Sequence, residues 1–237
     1  MKLLFSILAL SLCLPITRDD IYDDSWALVI GINDYQNIQG LDYAVKDAES
    51  VEKMLVDLFG FDKKNVTVLK DREATKLNII QEFSNITRKA KSTDRVLIFF
   101  AGHGETESLP GGGELGYLMP VDGNKEDLYV SSVSMNELRT ISQRSDAKHI
   151  LCLVDACYGG VAAAGGSRGL VTSSSDDPHY IKKITQYKSR QVISAGGRDE
   201  LVVEKPEWGH SAFTKNLLQG LNNELADANN DGIISAE

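Results

Sequence analysis

Four near-continuous apolar runs and a shorter fifth one constrain this chain more than any other feature. They are Trp26–Ile30, Val66–Leu69, Val96–Phe100, Ile150–Val154 and Gln191–Ser194. Strands that are apolar on both faces must be covered on both faces, which calls for a mostly parallel sheet with helices on either side. The intervening segments supply those helices. Ala44, Val45, Ala48, Val51, Leu55, Leu58 and Phe59 recur at helical spacing and stop at Gly60; Leu77, Ile80, Phe83, Ile86 and Ala90 mark a second amphipathic helix. Ser134 can cap a short helix through Met135, Leu138 and Ile141, and a last helix runs from about Ala212 to Leu221. The reading is α/β. A Gly/Ala-rich then Ser/Asp/Lys-rich stretch, Ala162 to Ser189, reads as a long surface connection that interrupts one domain. With 237 residues, 42% of them hydrophobic, one large core forms without staples. The three cysteines (Cys13, Cys152, Cys157) contain no CxxC pair and encode no disulfide framework.

Charge narrows the partners. Lys plus Arg number 25 against 34 Asp plus Glu, a net charge of −9. A phosphate backbone needs clustered cations, so a nucleic-acid role is not expected; the balance suits cations, either metal ions or basic side chains. Residues 1–17 pair one lysine with an apolar run from Leu3 to Leu14, then Pro15. That is the form of a secretory signal peptide, too short to span a bilayer, and predicts a secreted or periplasmic protein. Leu12 is too large for a lipoprotein box before Cys13. At the other end, residues 227–237 follow the start of an EF-hand loop. Asp227, Asn229 and Asp231 take its first three alternate ligand positions, Gly232 the sharp turn, and Ile233 the backbone-carbonyl position. The sequence stops before the bidentate glutamate, so the expected Ca2+ affinity is weak.

In open parallel sheets, ligands bind beyond the carboxyl ends of the strands. The third strand delivers His103 between Gly102 and Gly104, and the fourth delivers Cys157, followed by Gly159 and Gly160. An imidazole beside a thiol generates a thiolate nucleophile and can later protonate a leaving amine. Glycines beside both residues leave room for backbone N–H groups at a developing oxyanion. Cys152, inside an apolar run, reads instead as core. Two other motif matches lack their context. Gly111–Gly116 satisfies G-x-G-x-x-G but leads to Tyr117-Leu-Met-Pro120, not a helix. Gly165–Gly169 satisfies G-x-S-x-G around Ser167, with Asp199 and His210 following in hydrolase order. No strand precedes it and no helix follows, so a serine hydrolase is the weaker reading.

Leu28–Asn33, Ala44-Val-Lys-Asp47-Ala, Phe99-Phe-Ala-Gly-His-Gly104, Asp155-Ala-Cys-Tyr-Gly-Gly160 and Ser211-Ala-Phe-Thr with Leu217–Leu221 come in one order. In these motifs, over about residues 25–222, the chain resembles the caspase-like (C14) peptidases, above all the bacterial metacaspase and paracaspase-like group. The resemblance implies a caspase–haemoglobinase fold and a dyad of His103 as general base and acid and Cys157 as nucleophile, with no required third member. It also implies an oxyanion hole from the N–H groups of Gly104 and Cys157. Caspases proper carry Gln-Ala-Cys and cleave after Asp; here the string is Asp155-Ala-Cys157. In metacaspase-like relatives that Asp and the Asp of the first helix form an acidic S1 pocket, which carries over to Asp155 and Asp47. Two carboxylates at a pocket floor favour Arg or Lys and repel Asp. Where that family often carries a further acidic pocket residue after the fifth strand, this chain departs and reads Gly197-Arg198-Asp199-Glu200. Which of Asp199, Glu200 or Glu204 faces the pocket stays open; Arg198 stands beside them as a charge that would neutralise it, and Glu204 is carried as the binding candidate.

The expectation is therefore an exported cysteine endopeptidase that acts on protein or peptide substrates after Arg or Lys, requires no cofactor for its chemistry, and has no stable membrane span. Self-cleavage is expected in the 162–190 stretch, which carries Arg168, Lys182, Lys183 and Lys188, with Arg190 just beyond. The rival from another class is a non-catalytic caspase-like scaffold with a calcium-sensing tail, which an intact His/Cys pair disfavours.

Overall fold

The computed structural model describes residues 20–156, 185–196, 203–222 and 225–226. Its centre is a five-stranded sheet in the order β2-β1-β3-β7-β8, every pair parallel. The strands are β1 (Ser25–Gly31), β2 (Val66–Lys70), β3 (Arg95–Ala101), β7 (His149–Asp155) and β8 (Ser189–Ser194). Each apolar run of the sequence lies in one of them. The last strand begins at Ser189, two residues earlier than its apolar content suggests, so the long connection ends at Lys188.

Alternation along the strands divides the core in two. Leu28, Ile30, Ile98, Phe100, Ile150, Cys152 and Val154 face one layer, and Ala27, Val29, Phe99, Ala101 and Leu153 the other. The first layer receives α2 (Lys76–Lys89) through Ile79, Phe83 and Ile86, and α4 (Met135–Gln143) through Met135 and Leu138. The second receives α1 (Ala44–Asp57) through Ala44, Ala48, Val51, Met54 and Leu55. Phe213, Leu217, Leu218 and Leu221 of α5 (Ala212–Asn222) join that second layer. Fully burying one such large apolar side chain stabilises by about 1.5–3 kcal/mol, so the helices are held by these faces more than by propensity.

Helix starts follow local chemistry. Thr75 caps α2 by accepting from Asn78 N–H at 3.2 Å. Ser134 and Glu137 form a reciprocal capping box at α4. Tyr43 gives α1 no side-chain cap; Asn33 Oδ1 reaches across from the end of β1 and accepts from Val45 N–H at 3.1 Å.

Two smaller elements were not legible as strands. An antiparallel sheet joins β4 (Gly104–Ser108), β5 (Glu114–Leu118) and β6 (Val133–Ser134), next to the one-turn helix α3 (Leu128–Ser131). A two-residue ribbon pairs β9 (Glu204–Lys205) with β10 (His210–Ser211). The triple glycine that imitates a dinucleotide motif is the β4–β5 hairpin turn, where Gly112 and Gly113 take φ of 88° and 89°.

Arg190 and His149 close the far edge. The Arg190 guanidinium donates to the carbonyls of Ser142, Ser145, Ala147, Lys148 and Ser189 at 2.8–3.2 Å. His149 Nε2 donates to Tyr187 C=O at 3.0 Å, and Nδ1 accepts from Tyr22 O–H at 2.5 Å. Cys152 is core, as expected: it is buried, and burial pushes its thiol up to about 12.

Candidate active site

Register decides what meets at the carboxyl edge of the sheet. Ala101 of β3 pairs with Asp155 of β7, and Gly102 N–H donates to Asp155 C=O at 3.1 Å. His103 stands two residues beyond Ala101, as Cys157 stands two beyond Asp155 in the sequence. Cys157 itself lies outside the described residues.

His103 is held at two points by the segment that follows β1. Its backbone N–H donates to Tyr35 Oη at 2.7 Å, and its ring Nε2 lies 2.9 Å from the carbonyl oxygen of Gln39. A carbonyl only accepts, so Nε2 carries the proton and Nδ1 keeps the lone pair that a general base needs. The Tyr35 ring lies against the imidazole, centroids 4.9 Å apart. Burial lowers the His103 pKa below its ordinary value, and the Gln39 carbonyl opposes this by favouring the protonated ring. His103 thus has an orienting carbonyl, which the sequence reading did not include.

Gly102 owes its place to that contact. A Cβ there would lie 2.5 Å from Tyr35 Oη and 2.9 Å from the Phe100 ring, so only glycine lets the tyrosine reach the His103 backbone. Gly104, the other flanking glycine, sits at the start of β4. Met119 N–H donates to His103 C=O at 3.0 Å, so Gly104 faces Leu118 across a non-hydrogen-bonded pair. Its N–H therefore points away from β5 and is not spent in the ladder.

Three acidic residues converge from three elements, β7, α1 and β9. Asp155 is buried at the end of β7. One of its oxygens, Oδ2, accepts from the Ser211 hydroxyl and, at 2.5 Å, from the Thr214 hydroxyl. The Ser211 oxygen in turn accepts from Thr214 N–H at 2.9 Å, so this serine caps α5 and grips the carboxylate with one hydroxyl. The other oxygen, Oδ1, is buried with no hydrogen-bond partner among the described residues. Asp47, in the first turn of α1, is 1% exposed rather than solvated. Its carboxylate accepts from His210 Nδ1 at 2.5 Å and from Ser211 N–H at 3.2 Å. Glu204 on β9 accepts from Asp42 N–H at 3.3 Å.

All three carboxyl pKa values are raised, and burial is the main cause in each case. Asp155 is pushed up to about 6, against the pull of the Ser211 and Thr214 hydroxyls and with the help of the Asp47 charge. Asp47 is raised despite its bonds to His210 and Ser211. Glu204 is raised, with the Asp47 and Asp42 charges adding to burial. Such a cluster is short of positive charge, and a guest cation would relieve it. Among the described residues no group of three His, Cys, Asp or Glu side chains is placed to hold a metal ion.

Of the predicted site residues, His103, Gly104, Asp47, Asp155 and Glu204 are thus described, and the three acids share one neighbourhood. Asp199, Glu200, Arg198 and Ser167 lie outside the described residues, as do the calcium-loop residues Asp227, Asn229, Asp231 and Ile233 and the leader 1–17. Sequence reasoning missed Tyr35, Gln39 and Thr214, and it placed His210 only in the weaker serine-hydrolase pattern. A backbone carbonyl such as that of Gln39 has no residue signature. Ser211 and Thr214, three apart at a helix start, did have one.

A parallel α/β sheet with a glycine-flanked histidine and a buried acidic cluster at its carboxyl edge defines a protein of caspase-like fold. The chain belongs to the caspase-domain family of C14 peptidases, whose family model matches residues 24–231. It is 28% identical over 173 residues to metacaspase-7 of Arabidopsis thaliana, covering 68% of this chain and 41% of that protein. It is 28% identical over 146 residues to metacaspase-1 of Eremothecium gossypii (57% and 32%), and 25% identical over 192 residues to metacaspase-1 of Saccharomyces cerevisiae (74% and 43%). The chain therefore spans less than half the length of these relatives. Its fold is similar to the solved structure of protein GSU0716 from Geobacter sulfurreducens, with a TM-score of 0.62, 19% identity, and coverage of 85% of this chain and 83% of that one.

Proposed function

We propose that this protein is a cysteine endopeptidase that cleaves after Arg or Lys. The observation that carries the specificity is the Asp155 carboxylate, buried with Oδ1 free of any partner among the described residues and with Asp47 near enough to raise its pKa. An uncompensated acceptor of that kind is costly unless a donor arrives, and a guanidinium or ammonium supplies both donor and charge. A substrate aspartate would be repelled.

The chemistry follows from the orientation of His103. With Nε2–H committed to Gln39, Nδ1 takes the proton of the Cys157 thiol, and the thiolate attacks the scissile carbonyl carbon. Gly104 N–H and Cys157 N–H receive the oxyanion. The imidazolium returns its proton to the leaving amine as the C–N bond breaks. Water, deprotonated by the same imidazole, then hydrolyses the thioester and frees the enzyme. Fluorogenic peptides ending in Arg, Lys or Asp test the reading. Wild type should turn over the first two alone, and His103→Ala and Cys157→Ala should each abolish turnover, whereas Cys152→Ala should remain active. Efficient cleavage after Asp, or activity that survives Cys157→Ala, overturns it.

Self-cleavage, export and calcium response extend the same proposal. Arg168, Lys182 and Lys183 lie outside the described residues, and Lys188 is exposed and paired with Asp146 at 3.2 Å. Arg190 is withdrawn as a cut site, because its side chain is tied to five carbonyls and its backbone lies in the β7–β8 ladder. Sequencing the new N-termini of wild type beside Cys157→Ala, with and without calcium, separates self-cleavage from nicking by other proteases. Among the described residues no helix is long and apolar enough to cross a membrane.

A further inference from the structure

We infer that Asp71 is a positioning residue for His103: its carboxylate holds the segment 33–42 in the form that presents Tyr35 and Gln39 to the imidazole. The inference rests on the proposed role of His103 as catalytic base.

Asp71 follows directly on β2, on the side of β1 away from β3. Its single oxygen Oδ1 accepts from two consecutive backbone amides, Asn33 N–H at 2.8 Å and Asp34 N–H at 3.0 Å. These are the first residues past the point where Ile32 N–H donates to Ala101 C=O at 3.1 Å and the chain leaves the sheet. Asp71 is the one described non-glycine residue with positive φ, at 42°. An L-residue occupies that region at a cost, and Asp and Asn tolerate it best. Glycine would serve a bare turn better; what an aspartate adds there is the carboxylate aimed back at β1.

The grip matters because the segment is held by hydrogen bonds and not by burial; besides Asp71, Asn37 Nδ2 donates to the carbonyls of Asp122 and Gly123 at 3.3 and 3.2 Å, and Asp42 N–H donates to Glu204 at 3.3 Å. None of residues 33–42 is buried, and only Tyr35 and Leu41 pack against the core. Its shape comes from hydrogen bonds that start at Asn33, whose C=O accepts from Leu41 N–H at 3.0 Å while its side-chain oxygen caps α1. Further along, Gln36 N–H donates to Val121 C=O at 3.0 Å. The bonds of the His103 N–H to Tyr35 Oη and of its ring to Gln39 C=O both come from this one segment. Releasing Asn33 and Asp34 frees its N-terminal end, and with it the tautomer and the plane of the imidazole. A misplacement of that base by about 1 Å costs on the order of a hundredfold in rate.

Two variants isolate the grip. Asp71→Gly relieves the backbone and deletes the acceptor; Asp71→Asn keeps one acceptor oxygen and suits the left-handed conformation. On an Arg-terminated peptide, Asp71→Gly should lose about tenfold or more in kcat with KM within about twofold. Its thermal midpoint should stay near that of wild type, and the acid limb of its pH–rate profile should move up toward an ordinary histidine. Asp71→Asn should recover most of the rate. A second readout stands apart from turnover: 15N spectra of the His103 ring should show the Nε2–H tautomer in wild type and Asp71→Asn, and a mixed tautomer in Asp71→Gly. Wild-type kcat and tautomer in Asp71→Gly overturn the inference, as does an Asn variant impaired as much as the Gly variant. A wild type without peptidase activity sinks the proposed function, and the ring spectra then decide the positioning role alone.

Discussion

The Thr214 hydroxyl donates to Asp155 Oδ2 at 2.5 Å, while Oδ1 of the same buried carboxylate has no partner among the described residues. One side of Asp155 is thus fixed by α5, and the other has no partner among the described residues. With the carboxyl group pushed up to about 6, substrate recognition should titrate in the working range. The KM for Arg-terminated peptides should rise as pH falls through about 6, because the protonated acid no longer offers a charge. Asp155→Asn should raise KM by well over tenfold at neutral pH and flatten that dependence. Steady-state kinetics between pH 5 and 8 check this.

Stability should move in the opposite direction. The folded-state value of about 6 lies above the ordinary 3.8, so the folded protein binds this proton more tightly than the unfolded chain does. This group alone therefore makes stability fall as pH rises from about 4 to about 6, and hold at the lower level above that. Asp155→Asn lacks that slope. Its thermal midpoint relative to wild type should improve across the same interval, as measured by calorimetry.

Removing the second donor isolates its share. Thr214→Val keeps the shape of the side chain but leaves Asp155 with one hydroxyl fewer, at a cost of about 1–3 kcal/mol for a buried charged acceptor. Because that hydroxyl lowers the Asp155 pKa, its loss should push the pH midpoint of KM upward. Denaturant unfolding and the pH series read the two effects separately.

Gly102→Ala should damage the His103 end alone. Its Cβ would lie 2.5 Å from Tyr35 Oη, and displacing that ring breaks the bond to His103 N–H. We expect kcat to fall by about tenfold or more while KM for Arg peptides stays near wild type. An equal loss in binding would show that the two halves of the site are not independent.

Arg190→Ala should destabilise the fold by on the order of 2–3 kcal/mol, since five carbonyls lose a shared donor. Arg190→Lys should rescue little, because an ammonium lacks the planar fork that reaches them together. Chemical denaturation of the three proteins decides the matter.

How much of this was legible beforehand follows from the reach of each signal. The central strands announced themselves because two-sided burial writes consecutive apolar residues, and α4 did so because its capping chemistry is local. His103 at the end of β3 was visible for the same reason, as a glycine-flanked histidine closing an apolar run. The β4–β5 hairpin was missed because its residues alternate only weakly and its glycines imitate another motif. The ribbon of β9 and β10 has two residues per strand, too few for any period to register.

The amino-acid sequence alone determined the parallel α/β core, the identity of the chemical groups, and the family resemblance, because burial on two faces and short motifs are properties of neighbouring residues. Only the tertiary structure decided that Asp47 is buried against His210 and that Asp155 keeps one buried oxygen without a partner among the described residues. It alone supplied a carbonyl of Gln39 to orient His103 and a carboxylate of Asp71 to hold that segment. Those relationships join residues tens to more than a hundred positions apart, and strand register with helix packing sets them. A backbone carbonyl is chemically the same at every position, so nothing but its place in space makes one of them part of a site.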